Sequence, residues 1–188
     1  MNLASPSNVR SVLTSLGIHP SRAMGQNFLI DRNILNIIVE SANLDKSDCV
    51  LEVGPGLGSM TEGLLSKAGY VIAVEKDKRL CAYLEKRLGG KKNLSLVHGD
   101  ALSSDNSLEQ LKRFTDGRRV NKVVSNFPYS AASRVMVNFA RSDDPPDLII
   151  GTVQQEVAER LTSDPGGKEY GLLTVYCSLV YDGVILKD

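Results

Sequence analysis

The sequence has few of the features that usually mark a function. Its formal net charge is zero, 22 Lys and Arg against 22 Asp and Glu, which neither favours nor forbids a polyanionic partner. The three cysteines, Cys49, Cys81 and Cys177, lie far apart with no CxxC and no neighbouring histidine. Such a scattered, odd set argues against a disulfide framework or a metal site and suggests reduced thiols in a cytosolic, cytoplasmic protein. No stretch approaches the ~18 apolar residues of a membrane helix. Neither an internal repeat nor a domain linker interrupts the chain. What remains, 188 residues that are 42% hydrophobic and 23% charged, has the composition of an ordinary globular protein and suits one domain. A monomer without membrane contact is expected.

The informative content is alternation. After a short helix at about 7–16 and the loop HPSRAMGQNFLID, Asp31 is placed to cap a helix through ILNIIVESA. Apolar runs at 48–54, 70–77, 93–100, 121–126 and 147–153 then alternate with segments of helical spacing, one near 106–114 and another over 130–140. A further helix over YGLLTVYCSLV and a sixth strand, GVILKD, follow. Strands that are apolar throughout and separated by helices imply a doubly wound, mostly parallel α/β sheet covered on both faces. Ligands in this architecture sit beyond the carboxyl ends of the strands, where strand order reverses. Residues 76–92 carry seven Lys and Arg against two acids and residues 112–122 five against one, while 141–169 leans acidic. Such basic runs are usually solvated helix faces, with nucleic-acid contact as the alternative.

Four strand ends carry chemistry. The first reads Glu52-Val53-Gly54-Pro55-Gly56-Leu57-Gly58, a turn whose glycines let backbone approach a ligand closely. Its third glycine comes four residues after the first instead of five, unlike the nicotinamide fingerprint GxGxxG. The second strand ends in Glu75, twenty-one residues after Gly54, the spacing of an acid that accepts ribose hydroxyls; a helix cap is the plainer alternative. The third ends in Gly99-Asp100, where an acid can take a purine's exocyclic amine or cap a helix. No GxxxxGK[ST] accompanies them, which argues against a nucleoside triphosphate. The implied ligand is an adenosine carrying something other than phosphates, and S-adenosylmethionine fits.

The fourth strand breaks into Asn126-Phe127-Pro128-Tyr129. A sulfonium methyl group is already activated, so transfer needs an acceptor lone pair held in line with it. An adenine amine delocalises that pair into the ring. Hydrogen bonds from its two protons to the Asn126 amide oxygen and the Phe127 carbonyl favour a more tetrahedral nitrogen and free the pair. Pro128 restricts Phe127 to extended backbone, and Tyr129 can stack on a base rotated out of its helix. A turn with both aromatics packed inward is the alternative reading.

With these residues assembled, the chain resembles the ribosomal RNA adenine dimethyltransferases of the small subunit. The likeness runs from GQNFLID through EVGPGLG, VEKD, GDAL and SNFPYS to QQEVAERL and PGGKEYG, nearly the whole sequence. The resemblance implies a class I S-adenosylmethionine-dependent methyltransferase (Rossmann-like) fold. It also implies dimethylation of two adjacent adenines in the RNA of the immature small ribosomal subunit, in ribosome biogenesis. By this likeness Asn27 and Leu29 line the cofactor site with Gly54, Gly56, Glu75, Asp100 and Asn126, and Asn126, Phe127, Pro128 and Tyr129 form the catalytic segment. No metal is implied. Residues 1–30 would form an N-terminal segment with a QNFL lid loop, and 31–188 the cofactor-binding domain. The family usually has Leu or Ile where Phe127 stands. Its members continue with an aromatic-bearing loop, a seventh strand beside the sixth, and a helical C-terminal domain. The sequence is therefore read as incomplete, with a whole cofactor site and a partial RNA-binding surface. The large-subunit adenine methyltransferases of macrolide resistance share QNF and N-x-P-Y, but Pro55 and GGKEYG favour the small-subunit type. A non-catalytic RNA-binding factor on the same fold is disfavoured because Glu75, Asp100, Asn126 and Tyr129 all stand.

Overall fold

The computed structural model of the chain describes residues 5–18, 28–29, 31–104 and 107–187. Five strands form one sheet: β1 (Cys49–Val53), β2 (Tyr70–Glu75), β3 (Leu94–His98), β4 (Lys122–Asn126) and β5 (Leu148–Thr152). Every pairing is parallel, in the order β3-β2-β1-β4-β5. Chain order runs outward from β1 through β2 to β3, then returns to the other side of β1 for β4 and β5. The reversal lies between β1 and β4, where a doubly wound sheet opens a crevice.

Burial on both faces explains why these strands read as unbroken apolar runs. On one face Val50, Val71 and Val124 pack with Ile38 and Val39, Met60 and Leu64, and Leu84 and Leu88. Those pairs come from α2 (Arg32–Ser41), α3 (Ser59–Lys67) and α4 (Lys78–Leu88). On the other, Leu51, Ile72 and Val123 pack with Leu108 and Leu111, Val135 and Phe139, and Leu173. Their helices are α5 (Leu108–Leu111), α6 (Ala132–Ala140) and α8 (Leu172–Ser178). The alternation of neighbours along each strand follows from the two-residue period of its side chains. A short α7 (Gln155–Leu161) follows β5. The helix α1 (Pro6–Ser15) joins a third cluster, in which Val9, Val12 and Leu13 meet Leu57 and Leu80. It thereby rests on the glycine turn after β1. The Asp31 carboxylate accepts from the Asn33 amide at 2.7 Å and the Ile34 amide at 3.4 Å, the cap its position implies.

The helix expected near 106–114 is present as α5 followed by a 3-10 turn over Lys112–Phe114. One expectation needs correction. The sixth strand expected at GVILKD is not formed: residues 181–187 take no regular secondary structure, and Val184 and Leu186 are exposed. A strand exists through its ladder of hydrogen bonds to a neighbour. None of the five strands pairs with this segment, and β5 ends the sheet.

The basic run at 112–122 resolves largely into structural ion pairs. Arg119 forks onto Asp144 and Asp147 and also donates to the Pro145 carbonyl. Lys122 meets Asp48 at 3.0 Å, and Lys112 meets Glu109 at 2.8 Å. The acidic lean after residue 141 is in part the other half of these pairs. The Arg119 pairs fasten the β4 entrance to the turn before β5, and Lys122 ties it to Asp48 at the start of β1. No helix among the described residues is long and apolar enough to cross a membrane.

Candidate active site

The carboxyl ends of β1, β2, β3 and β4 open onto a cavity of about 170 Å³. Its lining includes Leu29, Gly54, Gly56, Glu75, Asp100, Asn126 and Pro128. Of the residues singled out from the sequence, these seven are brought together. Two are not: the Phe127 ring is fully buried in the core, and Tyr129 stands beside the cavity at 37% exposure without lining it. Asn27 lies outside the described residues.

The turn after β1 is shaped by glycine at two places. Gly54 has φ +70°, and a Cβ there would sit 2.9 Å from the Pro128 ring. Gly56 has φ +59°, and its Cβ would meet the Phe28 ring at 3.2 Å. Both positions combine a left-handed backbone with a close neighbour, which only glycine tolerates without strain. The contact between Gly54 and Pro128 brings the ends of β1 and β4 against each other.

Glu75, 6% exposed, holds this turn. One carboxylate oxygen accepts the Gly56 amide at 3.0 Å and the other the Asp77 amide at 2.8 Å. Each oxygen keeps an acceptor position free of these two amides. Burial pushes the carboxyl's pKa upward, opposed by those amide bonds. The capping alternative for Glu75 does not hold: the cap of α4 is Asp77, whose carboxylate accepts the Arg79 amide at 2.9 Å. Asp100 accepts the Leu102 amide at 2.9 Å and pairs with Lys76 Nζ at 2.8 Å. These bonds, Lys76 foremost, hold its pKa below the usual carboxylate range.

Asn126 closes β4 opposite Thr152 of β5. The Thr152 hydroxyl donates to the Asn126 amide oxygen, and the Phe127 amide donates to the Thr152 carbonyl at 3.1 Å. On the other flank the Ser125 hydroxyl donates to the Val53 carbonyl at 2.6 Å. The segment is thus tied to both neighbouring strands. The Phe127 ring lies over Gly151, where a Cβ would come within 2.7 Å of it. A glycine in the adjacent strand makes room for the phenylalanine that stands where Leu or Ile is usual.

Sequence reasoning missed three residues. Thr152 orients Asn126 across 26 positions of chain, and Lys76 engages Asp100. Glu52 lies in β1, 2% exposed and lining the cavity, with one carboxylate oxygen that has no hydrogen-bond partner. The Glu52 signal was present: an acid inside an otherwise apolar run. Its pKa is pushed up to about 8, mainly by burial, with the Glu75 charge adding to the effect. Among the described residues no group of three His, Cys, Asp or Glu could hold a metal ion.

This arrangement can offer two acceptors at Glu75, a carboxylate at Asp100 and an oriented amide at Asn126. Among the described residues that line it, the site's chemistry is that of acceptors and an oriented amide. Comparison with known proteins agrees with that chemistry. A family model described as ribosomal RNA adenine dimethylase matches residues 19–187. The ribosomal RNA small subunit methyltransferase A of Pediococcus pentosaceus is 39% identical over 175 residues, 93% of this chain and 59% of that protein. A probable counterpart in Methanopyrus kandleri is 40% identical over 171 residues, 91% and 57% of the two chains. A solved dimethyladenosine transferase from Plasmodium falciparum is 28% identical with a TM-score of 0.68, over 81% of this chain and 52% of that one. The solved 23S rRNA methyltransferase ErmE is also 28% identical, with a TM-score of 0.60 over 74% and 53%. The chain spans less than two thirds of the length of each of these proteins.

Proposed function

The chain belongs to the ribosomal RNA adenine dimethylase family, and from that premise we propose that it transfers methyl groups from S-adenosylmethionine to the exocyclic amines of two adjacent adenines in small-subunit ribosomal RNA. The observation that carries the reading is the convergence of Gly54, Glu75, Asp100 and Asn126, from four different strand ends, on one cavity at the reversal of strand order. The residues fit the cofactor. Glu75 is buried and keeps acceptor capacity for a ribose, the glycine turn admits close backbone approach, and Asp100 offers an acceptor for the adenine amine. When bound, the cofactor supplies an activated methyl group. Leu29 would cover it from the N-terminal segment.

The protein's own contribution is positional. The Asn126 amide oxygen and the Phe127 carbonyl receive the two protons of the target amine and hold its nitrogen toward the donor. Pro128 sets the direction of that carbonyl. Tyr129, half-exposed at the rim, offers a ring to stack on the everted base. The preferred substrate is the immature small subunit, met in the cytoplasm by a monomer.

Incubation with labelled S-adenosylmethionine and unmethylated small ribosomal subunits tests this. The same assay is run on a version extended by the remaining portion of a longer relative. Label is expected on two adjacent adenines of small-subunit RNA. Label on large-subunit RNA, or tight RNA binding by both forms without transfer, would overturn the reading. Glu75→Ala should weaken S-adenosylmethionine binding at least tenfold in calorimetry, since each charge-assisted bond contributes about 1.5–3 kcal/mol. Asp77→Ala should instead lower the melting temperature through loss of the α4 cap, with affinity little changed.

A further inference from the structure

The carboxylate assigned to the adenine amine already has a cation on it. Lys76 Nζ lies 2.8 Å from one Asp100 oxygen, and both residues line the cavity. Their side chains are 67% and 39% exposed, so the pair sits at the rim in contact with water. Lys76 directly follows Glu75 at the end of β2, and Asp100 follows Gly99 after β3. These strands are adjacent and in register, with Glu75 opposite His98. The pair therefore bridges two neighbouring strand ends at the place where the base would lie. The other Asp100 oxygen is occupied by the Leu102 amide at 2.9 Å.

We infer that Lys76 lowers the purine selectivity of the cavity by competing with the amine of the donor's adenine for Asp100. The inference rests on the reading of the cavity as an S-adenosylmethionine site. An ammonium and an adenine amine are both donors, and a carboxylate is only an acceptor. An amine arriving at Asp100 must share an oxygen already paired with Lys76, or displace Lys76 into water. A 6-oxo purine reverses the preference. Its carbonyl oxygen faces repulsion from Asp100 but can accept from Lys76. Lysine at this position thus weakens the adenosyl ligand slightly and tolerates the inosyl one, so discrimination between them is blunted.

Exposed ion pairs are weak, so the competition is modest and screened by salt. The test is calorimetry with S-adenosylhomocysteine and its 6-oxo analogue, S-inosylhomocysteine, on the wild type, Lys76→Met, Asp100→Asn and the double variant. At low salt Lys76→Met should bind S-adenosylhomocysteine roughly two- to fivefold tighter than wild type. The gap should close as salt rises toward ~1 M, where the screening length falls to about 3 Å. The preference for the adenosyl over the inosyl ligand should widen about tenfold in Lys76→Met, the scale of one hydrogen bond lost. In the Asp100→Asn background Lys76→Met should no longer tighten the adenosyl ligand, because the pair that competed is gone. Equal or weaker binding by Lys76→Met at every salt concentration overturns the inference and leaves the donor-site reading intact. No binding of S-adenosylhomocysteine to any variant at millimolar concentration overturns both. The side chain removed is two-thirds exposed, so loss of folding does not confound the comparison.

Discussion

Asn126→Ala is expected to slow methyl transfer about 10²–10³-fold, the scale of losing one preorganised polar group, while S-adenosylmethionine binds nearly as well as before. The expectation comes from how the amide is held. Asn126 ends β4 opposite Thr152, whose hydroxyl donates to the amide oxygen. That oxygen has two lone pairs, and the proposed reaction assigns one of them to a proton of the target amine. The Phe127 amide bond to the Thr152 carbonyl fixes the next residue in the same frame. Removing the side chain deletes an acceptor at the reacting nitrogen and leaves the ribose and adenine acceptors in place. Thr152→Val keeps the amide but removes the Thr152 bond that orients it, and should fall between wild type and Asn126→Ala. Single-turnover transfer beside calorimetric donor binding checks this. An equal loss in both for Asn126→Ala would mean that the residue serves only to hold the donor.

Glu52→Gln is expected to make the protein more stable at pH 8–9 and to flatten its stability–pH profile. Glu52 is 2% exposed, and burial raises its pKa to about 8. In the unfolded chain a glutamate titrates near 4.3. Below that value both states are protonated and the group has no effect. Between about 4.5 and 8 the unfolded state releases a proton that the folded state keeps, so stability falls as pH rises. Above 8 the loss levels off. At 1.36 kcal/mol per unit the full effect is roughly 3–6 kcal/mol. Urea unfolding of both proteins from pH 5 to pH 9 isolates it, since every other group is common to the pair. Parallel profiles would show that Glu52 is already ionised in the fold, with a partner for its second oxygen.

The five strands and most of the helices were legible because each depends on local pattern. Short apolar runs such as LEVG and YVIAV, bounded by turn residues and separated by helical segments, read as buried strands, and Asp31 announces the start of α2 by its own side chain. The convergence at the strand ends was legible too, because parallel βαβ winding dictates where those ends lie. What failed was whatever depends on a distant partner. GVILKD has the composition of a strand, but strand is a property of pairs, and β5 offers it no ladder. The basic residues at 119 and 122 looked like a surface stripe until Asp144, Asp147 and Asp48 came opposite them. Thr152 and Lys76 were missed for the same reason. Each acts on a site residue some 24–26 positions away, and nothing in either neighbourhood marks it. Asp77, two residues nearer the first turn of α4, takes the cap that was the alternative reading of Glu75.

The close approach of Gly54 to Pro128 has a mechanical consequence. The missing Cβ is the gap into which the proline ring fits, so under the proposed reaction the turn that would carry the methyl donor and the segment that would hold its recipient touch each other along the lining of one cavity. Such a contact acts as a feeler gauge: it sets the spacing of the two segments by van der Waals radii. Thickening it by one methyl group would push the two halves of the reaction apart together.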